Sequence, residues 1–270
     1  MVHSWNATSL RDVYAAEAAG KVAEISAAAT KGPVVLQEHR FDRAGPMQLQ
    51  ERLPMAKVMA IPAIDQDTKH ARAGIAFAIP TQLGIRALHD PVEVIPACVA
   101  FLTLDWAGEI IRIWGYYLPP GLQKEILRQW EGWLEANEAA SQDEISHIAV
   151  GDTNISAEHS PTLVRLRALV ASLGCKELPP DKGGTFRTHK GTLTHLDRMF
   201  VPSTNGDAQW SQAPGAEPTR SVHRWISATR IPNVKQLGGA RQTEGESHSR
   251  CPPRRCDWKL GLSSRTPQSA

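Results

Sequence analysis

The stretch that decides the fold runs from Glu144 to Ser156 and reads EISHIAVGDTNIS. Ile145, Ile148, Ala149 and Val150 are apolar or small, which is typical of a strand buried in a sheet. Gly151 then ends the apolar run, and a carboxylate and a carboxamide follow two residues apart, at Asp152 and Asn154. A strand end is a rigid support, and side chains at i and i+2 share one face. The stretch therefore predicts a polar functional site at the end of a buried strand.

The composition fits a globular protein with a substantial core. The chain has 270 residues, of which 41% are hydrophobic, and this suits one large domain or two small ones. The formal net charge is +2, which neither requires nor excludes a nucleic-acid partner.

Several protein classes are disfavoured by the cysteines and by the absence of long apolar runs. Four cysteines do not form a disulfide framework in a chain of this length. We predict that Cys98 and Cys175 are buried thiols, and the tail residues Cys251 and Cys256 lack the second pair that a zinc site needs. No run is long enough to cross a bilayer, and MVHSWNATSL does not resemble a signal peptide. We expect a soluble, intracellular protein.

The order of the predicted elements indicates the fold class. Apolar positions at helical spacing predict helices in SLRDVYAAEAAGKVAEISAAAT (9–30), GLQKEILRQWEGWLEAN (121–137) and SPTLVRLRALVASLG (160–174), the last with Ser160 as its N-cap. Strands are predicted in VHSWN, GPVVLQE, HARAGIAFAIP, VIPACVAFLTLDW, EIIRIWGYYLP, HIAVGD and THLDRMFVP. Several strands follow one another without an intervening helix. This favours a mixed sheet, or two packed sheets with helices outside, over a doubly wound parallel sheet.

The character of the chain changes near residue 203. Beyond it the sequence is rich in Gly, Pro, Ser, Arg and Gln, and basic residues outnumber acidic ones. We therefore predict a domain over residues 1–203 and a largely disordered tail over 204–270. In this tail Trp210, Trp225 and Trp258 show no pattern that would bury them.

Polar groups suited to metal and phosphate chemistry lie in or at the end of the predicted strands. Each has an ordinary alternative, because an acid after a strand is most often a turn residue or a helix N-cap. Asp197 is harder to explain in this way, since a carboxylate inside a strand is costly unless it is paired. The candidates are Asn6, Glu38, Tyr117, Asp152, Asn154 and Asp197.

The order of these segments carries a family resemblance. SWNATSL, VVLQEH, YYLPPG, AVGDTN and THLDRMFV follow one another as do the motifs of the endonuclease/exonuclease/phosphatase family, which has the deoxyribonuclease-I-like fold. The chain most resembles the endonuclease modules of non-LTR retroelements, over about residues 3 to 203. The resemblance implies an α/β four-layer sandwich, in which two mixed β-sheets pack face to face with helices outside.

The resemblance also implies a metal site. Glu38 would bind a divalent ion, Mg²⁺ or alternatively Mn²⁺, because such ions prefer oxygen ligands. Asn6 would help to hold that site. The substrate would be DNA or RNA, and no protein partner is implied, so we expect a monomer. Basic residues near the site segments that could contact the nucleic-acid backbone are Arg40, Arg43, Arg187, His189 and Lys190.

The remaining candidates would carry the chemistry by the same resemblance. Asp152 would orient or deprotonate the attacking water, and Asn154 would hydrogen-bond the phosphate. Tyr117 would contact the phosphate or the leaving oxygen, and Asp197 would orient a catalytic histidine. A phosphodiester is already anionic, so attack needs a cation and neutral donors to offset the growing negative charge.

The sequence departs from the family pattern at its C-terminal end. The closing Ser-Asp-His is missing: His223 follows Val222, and neither His223 nor His248 follows an Asp. We therefore predict no catalytic histidine and no closing strand, and the loss of such a donor costs roughly 10²- to 10³-fold in rate. Milder departures are Thr8, where an acid is common, and Thr153, where an aromatic residue is usual.

Three functions follow from these observations. The first is a Mg²⁺-dependent endonuclease of retroelement type, slowed by the missing histidine. The second is a catalytically dead remnant or nucleic-acid-binding module of the same fold, and the third is a phosphatase acting on phosphoinositides or other small phosphoesters. A retroelement origin would imply a nuclear location.

Overall fold

The computed structural model describes residues 1–8, 10–64, 72–137, 145–179, 184–188, 190–203, 208–213 and 223–232. The chain divides into a compact unit, Met1–Asn233, and a second unit, Val234–Ala270. The second unit lies outside the described residues. The disorder predicted for residues 204–270 therefore stays a prediction for this unit.

The described helices are α1 (Ala16–Ala29), α2 (Gly45–Arg52), α3 (Gln123–Asn137) and α4 (Pro161–Ser172). Helix α1 begins later than predicted, because Asp12 accepts hydrogen bonds from the N–H groups of Tyr14 and Ala15 and so forms a turn there. The short helix α2 was not predicted. Ser160 occupies the N-cap of α4 as predicted, but its side chain makes no capping hydrogen bond.

The described strands form two large sheets and a small hairpin. In chain order they are β1 (Val2–Asn6), β2 (Val34–Gln37), β3 (Ala56–Ile61), β4 (Ile75–Pro80), β5 (Ile85–Ala87), β6 (Val92–Ile95), β7 (Val99–Trp106), β8 (Glu109–Tyr117), β9 (Ser146–Asp152), β10 (Cys175–Glu177), β11 (Phe186–Arg187), β12 (Leu193–Thr194), β13 (Asp197–Pro202), β14 (Ala208–Ala213) and β15 (Ile226–Pro232). The predicted strand VIPACVAFLTLDW is divided into β6 and β7 around Pro96, which has no N–H to donate to a ladder.

Both large sheets are mixed, as predicted. The first has the order β14-β15-β1-β2-β4-β3, and the second has the order β10-β13-β9-β8-β7-β5 with β6 paired to β7. Strands β1 and β2 are parallel, and so are β8 and β9. Strand β13 runs antiparallel to β9, while β11 and β12 form a separate two-stranded sheet. Each sheet therefore contains one parallel pair whose carboxyl ends lie together.

The alternation of side chains along the strands produces four layers. In β2, Val35 belongs to the core between the sheets, while Val34 and Leu36 pack with residues of α1 and α2. The core of the second sheet continues onto α3 and α4, through Ile126, Trp130, Leu163 and Leu166. The predicted sandwich of two face-to-face sheets with helices outside is confirmed.

Two strands follow the position at which we expected the fold to end. Strand β15 pairs with β1, and β14 pairs with β15, so the prediction that no strand closes the sheet is wrong. Trp225, for which we predicted no burial, is 7% exposed and stacks on Trp5 with ring centroids 4.6 Å apart. The Gly- and Pro-rich composition conceals these strands, because their pairing partner lies at the other end of the chain.

The predictions on cysteines and membrane spans concern the same described residues. Cys98 and Cys175 are buried free thiols, as predicted, whereas Cys251 and Cys256 lie outside the described residues. None of the helices in the described ranges has the length and apolar character needed to cross a bilayer.

Candidate active site

The site forms at one rim of the sandwich, where the two parallel pairs end. Asn6 is paired with Gln37 at the last position of β1 and β2, and Glu38 follows directly. In the second sheet Tyr117 is paired with Asp152 at the end of β8 and β9. The carboxyl ends of parallel strands meet at one edge, so each pair presents two polar residues together.

Asn6 joins the two sheets at this rim. Its side-chain nitrogen donates to Glu38 Oε2 at 3.1 Å and to Asp152 Oδ2 at 2.8 Å. Its side-chain oxygen accepts from the backbone N–H of Thr8 at 2.9 Å, which fixes the amide orientation. Two carboxylates that are far apart in the sequence are thus within hydrogen-bond distance of one nitrogen.

Several site residues have left-handed backbone conformations. Glu38 has φ +53° and Arg40 has φ +55°, and Asn154 has φ +49°. Such conformations are uncommon for residues other than glycine, although Asn tolerates them better than most. They are found where surrounding structure overdetermines the backbone, often at functional sites. The chain here turns sharply out of β2 and β9 and aims the following side chains at the rim.

Asp152 and Asn154 form one local unit, as the spacing predicted. The backbone N–H of Asn154 donates to Asp152 Oδ1 at 2.7 Å, and its side-chain nitrogen lies 3.2 Å from Asp152 Oδ2. The same side-chain nitrogen also donates to the carbonyl oxygen of Leu118 at 3.1 Å. Asp152 is therefore held by donors from Asn154 on one side and from Asn6 on the other.

Asp197 brings a histidine into the site. It is the register partner of Asp152 across β9 and β13, and its Oδ2 lies 3.0 Å from His223 Nδ1. The other ring nitrogen of His223, Nε2, lies 4.0 Å from Asp152 Oδ2. The imidazole is thus placed between two buried carboxylates.

Contacts from two other parts of the chain hold His223. The indole N–H of Trp5 donates to the His223 carbonyl oxygen at 3.1 Å. The Phe186 ring packs on the imidazole with centroids 4.9 Å apart, and the backbones of these two residues form an isolated β-bridge. The N–H of Arg224 donates to the carbonyl oxygen of Thr185 at 2.7 Å.

His223 corrects a prediction made from the sequence. We had assigned no catalytic histidine, because the family pattern places an Asp before it and this chain has Val222. The structure nevertheless places His223 against Asp197. The sequence around His223 carries no local signal for it, because its position is set by the pairing of β15 with β1 at the other end of the chain.

Burial and charge act in opposite directions on the acid and the histidine. Burial, reinforced by the charge of Asp197, raises the pKa of Asp152 to about 7, against the opposing effects of His223 and its hydrogen-bond donors. Burial alone would lower the pKa of His223, but the charge of Asp197, its hydrogen bond and the charge of Asp152 together raise it to about 9. The imidazole of His223 is therefore protonated at neutral pH, whereas Asp152 titrates close to neutral pH.

Tyr117 lies beside these groups and keeps its proton. Its side chain is buried, and burial raises its pKa, helped by the charges of Glu38 and Asp152. A phenol that stays protonated can donate a hydrogen bond to an anionic oxygen. All six residues predicted from the sequence thus lie at one rim, together with His223.

Two sets of side chains could be considered for a metal ion. The ligand atoms of Asp152, Asp197 and His223 lie within 4.8 Å of one another. His223 would bind a metal only as the neutral imidazole, so metal binding by this set and the protonated imidazole that Asp197 stabilises are alternatives. Glu38 offers carboxylate oxygens at the mouth of the same site and already pairs with the guanidinium of Arg40. The role of Glu38 as the ligand of a divalent ion stays a prediction, in keeping with the oxygen preference of Mg²⁺.

The basic residues predicted to contact nucleic acid lie in different places. Arg40 pairs with Glu38 at the site itself. Arg43 and Lys190 are exposed, and so is Arg187 on β11. Arg187 follows Phe186, whose ring contacts His223. His189 lies outside the described residues.

The fold is shared with solved structures of endonucleases and of an endonuclease/exonuclease/phosphatase family protein. The endonuclease domain of TRAS1, a telomere-specific non-LTR retrotransposon, aligns with TM-score 0.60 and 18% identity over 86% of this chain and 97% of that one. The AP endonuclease LMAP from Leishmania major aligns with TM-score 0.63 and 14% identity, covering 86% of this chain and 87% of the other. An endonuclease/exonuclease/phosphatase family protein from Bacteroides thetaiotaomicron aligns with TM-score 0.59 and 13% identity, over 83% and 94%. No family model matches the sequence, and none of the curated proteins is similar to it.

Proposed function

We propose that this chain, which has the endonuclease/exonuclease/phosphatase fold, is a divalent-metal-dependent endonuclease that hydrolyses phosphodiester bonds in nucleic acid. The observation that carries the proposal is the pair formed by Asp197 and His223, with the Asp152 carboxylate 4.0 Å from the other ring nitrogen. A carboxylate and a charged imidazole side by side supply both a proton acceptor and a cationic donor. Phosphodiester hydrolysis needs both.

His223 acts on the phosphate. Nδ1 faces Asp197, so Nε2 is the nitrogen directed towards the Asp152 side of the site. The imidazolium stabilises the negative charge that builds up on the phosphate oxygens as water attacks. Asp197 keeps the ring charged and fixes its orientation, in the manner of a carboxylate that orients a catalytic histidine.

Asp152 acts on the water. A general base works best when its pKa is close to the operating pH, and burial raises the pKa of Asp152 to about 7. Asn6 and Asn154 each donate to this carboxylate and fix its direction. Asp152 accepts the proton of the attacking water, and Tyr117 donates a hydrogen bond to the phosphate or the leaving oxygen. Asn154 does so by exchanging one of its two present acceptors, Leu118 O or Asp152 Oδ2, for the phosphate.

Glu38 would hold the metal ion, and Asn6 would hold Glu38. When bound, Mg²⁺ or Mn²⁺ supplies positive charge to the phosphate oxygens and so lowers the cost of attack on an anion. Asn6 fixes the Glu38 carboxylate through its amide nitrogen. Glu38 Oε1, which pairs with the Arg40 guanidinium, would be the ligand oxygen, and Arg40 would add a second positive charge beside it.

Nucleic acid is the substrate that these observations support best. The TRAS1 domain and the Leishmania enzyme are both named as endonucleases. The exposed basic residues Arg187 and Lys190 lie on the hairpin beside His223, where phosphates of a bound strand would need cations. Cleavage of the retroelement type follows the resemblance of the sequence motifs.

A nicking assay tests the proposal. The purified chain is incubated with supercoiled plasmid and Mg²⁺ or Mn²⁺, and Glu38→Gln, Asp152→Asn and His223→Gln are compared with it. We expect each variant to lose roughly 10²- to 10³-fold in rate. Asp105→Asn on β7, which alters an ion pair with the exposed Arg86 on β5, is the matched control and should leave nicking unchanged.

Two outcomes would contradict the proposal. A folded chain, judged by circular dichroism, that nicks no plasmid with either metal would indicate a remnant without activity. Turnover of bis(4-nitrophenyl) phosphate without plasmid nicking would indicate a phosphodiesterase for small substrates.

A further inference from the structure

We propose that Thr153 and Thr185 are positioning residues, which clamp the Leu196–Asp197 backbone from both sides and so aim Asp197 at His223. The inference rests on the proposed function, since it concerns the same histidine. Neither threonine belongs to the group of six residues identified from the sequence. Thr153 is even one of the departures from the family pattern, since an aromatic residue is usual there.

Thr153 holds the carbonyl side of the clamp. Its backbone N–H and its hydroxyl both donate to the carbonyl oxygen of Leu196, at 2.8 and 2.7 Å. The hydroxyl also accepts from the N–H of Ile155 at 3.1 Å, which fixes the side-chain rotamer. Thr153 follows Asp152 directly, so the end of β9 that carries the base is tied to the start of β13.

Thr185 holds the amide side. Its hydroxyl accepts from the N–H groups of both Leu196 and Asp197, each at 3.0 Å. Its own carbonyl oxygen accepts from the N–H of Arg224, the residue after His223, at 2.7 Å. One buried residue therefore fixes the backbone on both sides of the Asp197–His223 hydrogen bond.

The Asp197 side chain depends on this clamp because little else restrains it. Oδ2 contacts His223, whereas Oδ1 is buried without a hydrogen-bond partner among the described residues. The direction of the carboxylate is thus set by its backbone. Both threonines are almost completely buried, at 0% and 3% exposure, and neither offers its hydroxyl to a substrate.

The charges that face His223 make its titration a direct report on this aim. Asp197, Asp152 and Glu38 are the charged groups that stabilise its protonated form, and burial opposes them. A small displacement of Asp197 weakens the largest stabilising interaction. The midpoint of the His223 titration should then fall towards the value that burial alone dictates.

The test compares valine and serine at each position in the full chain. Valine keeps the shape and removes the hydroxyl, whereas serine keeps the hydroxyl. We expect Thr185→Val to lower the midpoint of the His223 Hε1 titration, followed by NMR, by about one pH unit or more. Since an error of about 1 Å in placing a catalytic group can cost 10²-fold, kcat for nicking should fall by roughly 10- to 100-fold with KM unchanged. Thr185→Ser should restore both values.

Thr153→Val keeps the inference falsifiable if Thr185→Val does not fold. It removes one hydroxyl but leaves the backbone hydrogen bond to Leu196, so we expect a smaller shift in the same direction, again restored by serine. Thr103→Val, at a buried threonine on β7 away from the site, is the matched control and should leave the titration unchanged.

Unchanged His223 midpoints in folded valine variants would overturn the inference, whatever their stability. The NMR titration needs no catalytic activity. A chain that nicks no plasmid but shows these shifts would contradict the proposed function and still support the clamp.

Discussion

At the scale of single residues, the site depends on hydrogen bonds between groups that are distant in the sequence. Asn6 bridges Glu38 and Asp152, and His223 meets Asp197. Each donor has its acceptor fixed by a separate strand. Changing one partner of such a hydrogen bond should therefore shift the pKa of the other.

Removal of the Asp197 charge should shift the alkaline limit of activity. The pKa of His223 is raised, so the active imidazolium is present at neutral pH and is lost as the pH rises through about 9. In Asp197→Asn the effect of burial, which lowers the pKa of His223, dominates. The alkaline limb of the pH–rate profile should then move by at least one pH unit towards neutral pH. The measurement is kcat for plasmid nicking between pH 6 and pH 10. A limb that stays in place would show that His223 does not carry the essential proton.

Asp152 and Asn154 could be predicted from the sequence, whereas His223 could not. The pair lies within three residues at the end of a strongly apolar strand, so local pattern and local structure agree. His223 has no such local signal, because Val222 replaces the expected acid and its partner Asp197 lies on another strand. Thr153 and Thr185 act through backbone groups, which no sequence motif records.

At the scale of elements, the close packing of the two sheets limits the side chains allowed on β8. A Cβ added to Gly115 would lie 2.6 Å from Ile75 Cγ2 and 2.8 Å from Val35 Cγ1, both on the facing sheet. Those side chains are buried in a packed core and have little room to move. Gly115 is therefore required for the sheets to approach at the centre of the sandwich.

Gly115→Val should destabilise the fold by about 1–3 kcal/mol through overpacking. Gly132→Ala in helix α3 is the matched control. Its added Cβ would meet nothing within 4 Å, and the helix interior favours Ala by about 0.5–1 kcal/mol. Urea unfolding curves of both variants measure the difference. Equal stability of Gly115→Val and the unaltered chain would contradict the packing argument.

A ring of charges joins the second sheet to the segment before α4. Arg198 on β13 pairs with Glu177 at 2.9 Å and Glu158 at 2.6 Å, and Arg167 on α4 pairs with both of the same acids. The Arg198 side chain is 1% exposed, so its charge depends on these partners. Arg198 follows Asp197 directly in the sequence, so the ring of charges holds β13, the strand that carries Asp197.

Arg198→Met should be destabilising by about 1–3 kcal/mol, because Glu177 and Glu158 each lose a charge-assisted hydrogen bond from a buried guanidinium, although Arg167 still pairs with both acids. Arg165→Met removes an exposed ion pair with Glu131 and should cost no more than about 1 kcal/mol. Thermal unfolding of the two variants tests the contrast. A similar small loss in both would show that the buried ring contributes no more than a surface pair.

The major elements were predictable and the closing strands were not. Periodic helices such as α3 and apolar strands such as β9 contain their own signal. Strands β14 and β15 are short of apolar residues, and β15 is stabilised by pairing with β1 at the opposite end of the chain. The pairing information is in the contact between the two ends and not in either segment alone.

At the scale of the whole molecule, buried neutral histidines make the free energy of unfolding depend on pH. Burial, with nearby positive charge, lowers the pKa of His3 and of His147 from 6.5 to about 4. The unfolded chain then binds more protons than the folded chain below pH 6.5. The stability is fully present above pH 6.5 and is lost as the pH falls towards 4.

We expect the free energy of unfolding to fall between pH 6.5 and 4, by roughly 1–3 kcal/mol for each of these histidines. His147→Gln keeps an acceptor for the Trp114 indole N–H, which lies 3.0 Å from His147 Nδ1, and should flatten this dependence. His89→Gln, at an exposed position, is the matched control and should not. Unfolding curves at pH 4, 5 and 6.5 decide between them. An unchanged pH slope in His147→Gln would contradict the assignment.

The pairing of β1 with β15 also determines when, during synthesis of the chain, the candidate site can assemble. Trp5 contacts His223 across 218 positions of sequence. A ribosome must therefore have released nearly all of the described chain before the histidine can reach its acid. Until then the nascent polypeptide has the carboxylates of the candidate site but lacks their imidazole partner, so the site is completed only when the last described strand, β15, pairs with β1.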